Sequence, residues 1–206
     1  AMRDLEIRGA GNLLGPEQHG HMLAVGFDLY CQLLEEEVAR LKGRVKEEEK
    51  EKEEKVEIEL RINAFIDDGY IREPSLKFEM YHRLREIEVE EEIEELREEL
   101  KDRFGPLPHE VENLLEITKL RVLAQSMGAA SVKETADEVK IKFREESSHF
   151  RGDILMLLAK DFPRRLKFSS IGGLEIGLRK QGLSERELVE TAQEILRKLG
   201  ELSIKH

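Results

Sequence analysis

At 206 residues and 23.9 kDa, the chain can hold one well-formed core, or a domain of roughly 150 residues plus an arm, but not a second large domain. Charged residues make up 38% and hydrophobic ones 39%; no apolar run approaches the roughly 18 residues of a spanning helix and no signal-peptide pattern opens the chain, so a soluble, cytoplasmic protein without a membrane partner is expected. The formal net charge of -11 argues against a large sequence-independent grip on nucleic acid, which needs clustered Lys and Arg, while residues 86–99, with nine Glu against one Arg, favour a basic protein surface as partner.

In chain order, residues 3–43 form an opening arm. Gly9, Gly11, Gly15, Gly20 and Gly26 predict loops and short helical pieces. From Phe27 onward, Phe27, Tyr30, Leu34, Val38 and Leu41 recur at helical spacing and predict an amphipathic helix ending near Gly43. Cys31 lies on it as the single cysteine, which excludes an intrachain disulfide and gives no zinc-ligand pattern. Residues 44–55, RVKEEEKEKEEK, are interleaved charge with almost no apolar side chain, and predict a solvated linker and a domain boundary.

The segment 56–202 reads as the folded domain. Val56, Ile58, Leu60 and Ile62 alternate as a strand with one buried face. Pro74 and Ser75 open a helix carrying Leu76, Met80, Leu84 and Ile87; a second carries Ile93, Leu96, Leu100 and Phe104 and is stopped by Gly105 ahead of Pro106 and Pro108. A third helix runs from about Glu110 to Met127, with Gly128 as its cap. Val139, Ile141 and Phe143 alternate as a second strand, and Ile154, Leu155, Leu157 and Leu158 mark a short helix before Pro163. Leu166 and Phe168, then Leu174, Ile176 and Leu178, flank Gly172-Gly173 as a β-hairpin. Ser184 and Glu187 stand at capping-box spacing before a last helix through Leu188, Ala192, Ile195 and Leu199. The expected class is α+β: a small, mainly antiparallel sheet of three or four strands packed with several helices and preceded by a helical arm.

No catalytic centre is expected. The glycines of residues 9–20 lack the Lys of a phosphate-binding loop, and no GxGxxG follows a strand. His19 and His21 are close, but have no acidic or thiol partner nearby, so no metal site is predicted. The abundant carboxylates read as solvated helix faces.

The run RDLEIRGAGNLLGPEQHG, residues 3–20, resembles the motif that the transcription-repair coupling factor (Mfd) family shares with the RecG branch-migrating helicase. The continuation AVGFDLYCQLLEEEVARLKG is similar to the coupling-factor branch, and the resemblance extends more loosely through VEIELRINAFIDDGYI and EELKDRFGPLP. It implies a fragment of an ATP-dependent DNA translocase: the end of the translocation motif joined to the C-terminal regulatory domain. ATP and Mg would belong to the parent motor, with no cofactor in this fragment, and duplex DNA would be engaged only through that motor.

Two groups of residues follow from the resemblance. Arg8 and Gln18 match positions the family uses in translocation, and their donors and acceptors suit such a network; the competing reading is a loop Arg and a solvated Gln. Glu99, Asp102 and Arg103 match the segment through which the family's C-terminal domain contacts the N-terminal module that resembles UvrB. That contact covers the surface recruiting UvrA until a stalled RNA polymerase is engaged. Spacing by itself places the three on one helix face beside the Leu96 and Leu100 stripe, and equally allows a plain i, i+4 pair between Glu99 and Arg103. Two further functions stay open: an accessory segment acting directly on duplex DNA, and an acidic adaptor for a basic protein.

Overall fold

The computed structural model describes residues 55–145, 150, 152–170 and 172–205. The arm at 3–43, with Arg8, Gln18, His19, His21 and Cys31, lies outside the described residues, as does the linker apart from Lys55. The described chain divides into two compact units, one within Asn63–Leu115 and the other within Glu54–Ile62 and Glu116–His206.

The first unit is helical. Helix α1 spans Pro74–Glu86 and begins on a proline, whose fixed φ and missing N–H suit a first helical position. Its face of Met80, Tyr81 and Leu84 is buried. The Tyr81 hydroxyl accepts the Ile66 backbone N–H at 2.8 Å, which satisfies a donor in the incoming loop. Lys77, itself buried, ion-pairs with Asp68 from the same loop. Helix α2 spans Glu90–Phe104, with Glu90, Glu91 and Glu92 in its first turn and Lys101 and Arg103 in its last, the distribution the helix dipole favours. Ile93, Leu96 and Leu100 form its buried stripe. The predicted stop is in place: Gly105 follows at φ 90°, a conformation open to glycine and costly for other residues, and its N–H bonds Lys101 O. Helix α3, His109–Ser126, starts in this unit, where Asn113 Nδ2 donates to Asn63 O at 2.8 Å, and ends in the second.

The second unit is a mixed sheet with helices. Its strands are β1 Glu57–Glu59, β2 Ala129–Glu134, β3 Glu138–Phe143, β4 Leu166–Ser169 and β5 Glu175–Arg179, in spatial order β1-β2-β3-β5-β4. Only β1 and β2 run parallel; the remaining pairs are antiparallel, with Ile141 facing Val132 on one side and Ile176 on the other. The sheet therefore has five strands where the sequence predicts three or four, and the missing one is β2. In AASVKE only Ala129 and Val132 are buried, so no apolar alternation marks it. Pairing to both neighbours, with an irregularity between Ala129 and Ser131, makes it a strand. The alternation from Val56 to Ile62 is likewise only partly a strand, since β1 has three residues.

The other predicted elements of this unit stand where expected. Helix α4 covers Gly152–Asp161, and β4 and β5 pair antiparallel across Gly172 and Gly173, at φ 75° and 103°. Helix α5, Glu185–Lys205, opens with the capping box: Ser184 N donates to Glu187 Oε2 at 2.8 Å and Glu187 N to Ser184 Oγ at 3.3 Å. Val132, Ile141, Phe143, Ile176 and Leu178 are all at most 1% exposed. The opposite sheet face carries ion pairs between strands, Lys133 with Glu57 at 2.6 Å, Lys140 with Glu175 at 2.8 Å and Lys167 with Glu138 at 2.9 Å.

Candidate functional site: a charged patch at the end of helix α2

The buried stripe of α2 fixes which of its side chains reach the surface. With Leu96 and Leu100 at 1% exposure, Glu99 and Arg103 fall on the flank of the stripe, one turn apart. Arg103 Nη1 donates to Glu99 Oε1 at 2.6 Å, so the i, i+4 pair exists. It is half of a larger arrangement. Arg83, from α1, forks both carboxylate oxygens, Nη1 to Oε1 at 2.9 Å and Nη2 to Oε2 at 2.7 Å, the bidentate geometry in which a guanidinium holds a carboxylate best.

The two guanidiniums set the charge state of the patch. Hydrogen bonding from Arg83, then from Arg103, pulls the Glu99 carboxyl down to about 2, and donating to Glu99 raises Arg83. Glu99 therefore stabilises the fold fully above its unfolded pKa, and that stabilisation disappears as pH falls through about 2. Between pH 4.5 and 2 the wild type should accordingly lose more denaturation midpoint than Glu99→Gln does. Parallel losses in urea titrations of the two proteins would contradict this assignment.

The patch is braced by an aromatic hook. The Arg103 guanidinium lies 5.1 Å from the centroid of the Phe104 ring, and that ring sits 5.8 Å from Tyr70. The Tyr70 hydroxyl is 2.9 Å from Leu100 O and 3.2 Å from Gly105 O, which ties it to the last turn of α2 and to its glycine cap. Burial pushes the Tyr70 hydroxyl pKa up, so it remains a donor.

Of the three residues named from the sequence, the structure joins Glu99 and Arg103 and leaves Asp102 apart. Asp102 is exposed and makes no hydrogen bond or ion pair among the described residues. Arg83 and Tyr70 were not legible. Arg83 lies 16 residues before Glu99 on another helix, and a basic residue in a last turn is ordinary there. Among the described residues no group of three or more His, Cys, Asp or Glu could hold a metal ion, and no helix is long and apolar enough to cross a membrane.

Comparison with known proteins places this geometry in context. Residues 60–151 match the model of the TRCF domain family. The transcription-repair-coupling factor of Bacillus subtilis (strain 168) is 37% identical over 98% of the chain, and that of Escherichia coli (strain K12) 37% identical over 99%. The chain spans only 17% and 18% of the lengths of these two relatives. Among solved structures, a crystal structure of the C-terminal domain of transcription-repair coupling factor matches with a TM-score of 0.66 at 26% identity, covering 73% of this chain and 95% of that one.

Proposed function

The chain belongs to the transcription-repair coupling factor family, as part of its C-terminal region, and from that premise we propose that it is the regulatory clamp of an ATP-dependent DNA translocase. In this reading Arg83, Glu99, Asp102 and Arg103 contact the N-terminal UvrB-like module of the same polypeptide. The contact masks the surface that recruits UvrA and holds the motor back until RNA polymerase is engaged. ATP and Mg act in the parent motor, and Arg8 and Gln18 serve its translocation.

The observation that carries the reading is Asp102. A carboxylate in the last turn of a helix faces the negative end of the dipole, which disfavours it by typically 0.3–1 kcal/mol. Asp102 occupies such a position, exposed and with no ion pair among the described residues to offset that cost, while Lys101 and Arg103 beside it have the sign the position prefers. A contact with a basic group on another module accounts for retaining an anion there. The neighbouring Glu99 is held by two arginines, so Asp102 is the group open to a partner, and an interface of fixed, polar groups is one that can be released.

Asp102→Lys should therefore leave the fold as stable as before or slightly more so, yet weaken binding to the isolated UvrB-like module by about tenfold or more. Calorimetric titration with urea denaturation of the same protein checks both. Undiminished affinity would remove Asp102 from the contact, and no binding by the wild type would reject the clamp. An accessory role on duplex DNA predicts instead tight, salt-sensitive DNA binding by this chain.

A further inference from the structure

Beside the patch, the first unit carries an open cleft of about 290 Å³, lined among the described residues by Phe65, Asp67, Gly69, Tyr70, Pro108 and Glu110. Building on the clamp reading, we propose that this cleft receives a lysine or arginine side chain from the same partner surface that meets the α2 patch.

The chemistry of the lining selects the occupant. Two half-buried aromatic rings and two carboxylates line the cleft, and among the described residues no Lys or Arg does. Ring faces carry negative charge density and attract cations, and a carboxylate adds a charge-assisted hydrogen bond to the same group. An anion would meet Asp67 and Glu110 with like charge. A purely apolar ligand would desolvate Glu110, which is half-buried and has no hydrogen bond or ion pair among the described residues. A cationic head on an aliphatic stem suits the aromatic lining and gives Glu110 an opposite charge.

The cleft is preformed. Asp67 Oδ1 accepts the Gly69 N–H at 2.6 Å, and Tyr70 N and Ile71 N bond Asp67 O at 3.1 and 3.0 Å, closing the loop on itself. The Tyr70 hydroxyl ties the same loop to Leu100 O and Gly105 O. A site fixed in this way loses little conformational freedom on binding. It is also continuous with the patch, since the Tyr70 ring that walls the cleft lies against Phe104, and Arg103 lies over Phe104. One partner surface can therefore reach both.

The test has two arms. Nuclear magnetic resonance titration of the 206-residue chain with N-acetyl-arginine amide should give saturable shifts at the amides of Gly69, Tyr70 and Glu110, and Glu110→Gln should weaken them by about tenfold, the loss expected for one charged hydrogen bond. Shifts that are absent, or equal in Glu110→Gln, overturn the proposal. In the second arm Glu110→Gln, with its fold verified by circular dichroism, should bind the UvrB-like module about tenfold more weakly than wild type. If Asp102→Lys loses affinity and Glu110→Gln does not, the cleft assignment is wrong and the clamp survives. If wild type does not bind the module, the clamp is wrong, and the arginine titration alone decides whether the cleft is a cation site.

Discussion

Replacing Leu96 by alanine should destabilise the protein by about 2–5 kcal/mol, the range found when a buried leucine is cut back and its cavity only partly collapses. Leu96 is 1% exposed, between Ile93 at 0% and Leu100 at 1% on the same helix stripe. The stripe is what turns Glu99 and Arg103 outward at fixed angles. Loosening it should blur the patch as well as lower stability. One position earlier, Glu95 is exposed, and Glu95→Ala should stay within about 0.5 kcal/mol of wild type. Urea denaturation of the two variants checks the contrast, and near-equal midpoints would mean that the α2 stripe is not a core.

The second large effect belongs to the sheet. Phe143→Ala should cost about 3–5 kcal/mol. Phe143 is 1% exposed at the end of β3, in register with Ala129, and its ring meets Phe150 edge-on at 5.2 Å. Its backbone N–H bonds Leu174 O at 2.9 Å, so the side chain anchors the strand next to the loop that leads into β5. Lys142, one residue before, is on the exposed face, and Lys142→Ala should change little. A loss below about 1 kcal/mol for Phe143→Ala would show that this end of the sheet repacks freely.

How legible these features were depends on whether the determining physics is local. Helix α2 could be read from the chain because its stripe, its acidic first turn and Gly105 all lie within one stretch of sequence. The start of α5 could be read for the same reason, since Ser184 and Glu187 bond each other three residues apart. Strand β2 could not, because what holds it is pairing to β1, some 70 residues earlier, and to β3. The same division runs through the site. The Glu99 and Arg103 pair follows from helical spacing, whereas Arg83 and Tyr70 reach the patch only through folding. Asp102 was named only through the family resemblance. Its exposed position in the last turn, without an ion pair among the described residues, is a property of the fold.

The two electrostatic features respond to different tests. Glu99 is screened by two arginines and should register mainly in the acid limb of stability. Asp102 should register in binding and hardly in stability. A single substitution that moved both readouts together would argue that the patch is merely structural.

The most direct measurement is the affinity of this chain for the isolated N-terminal UvrB-like module at low and at high salt. A contact built on Asp102, Arg103 and Arg83 predicts saturable one-to-one binding that weakens steadily as salt screens the charges. Absence of binding at low salt, or an affinity indifferent to salt, would contradict the account.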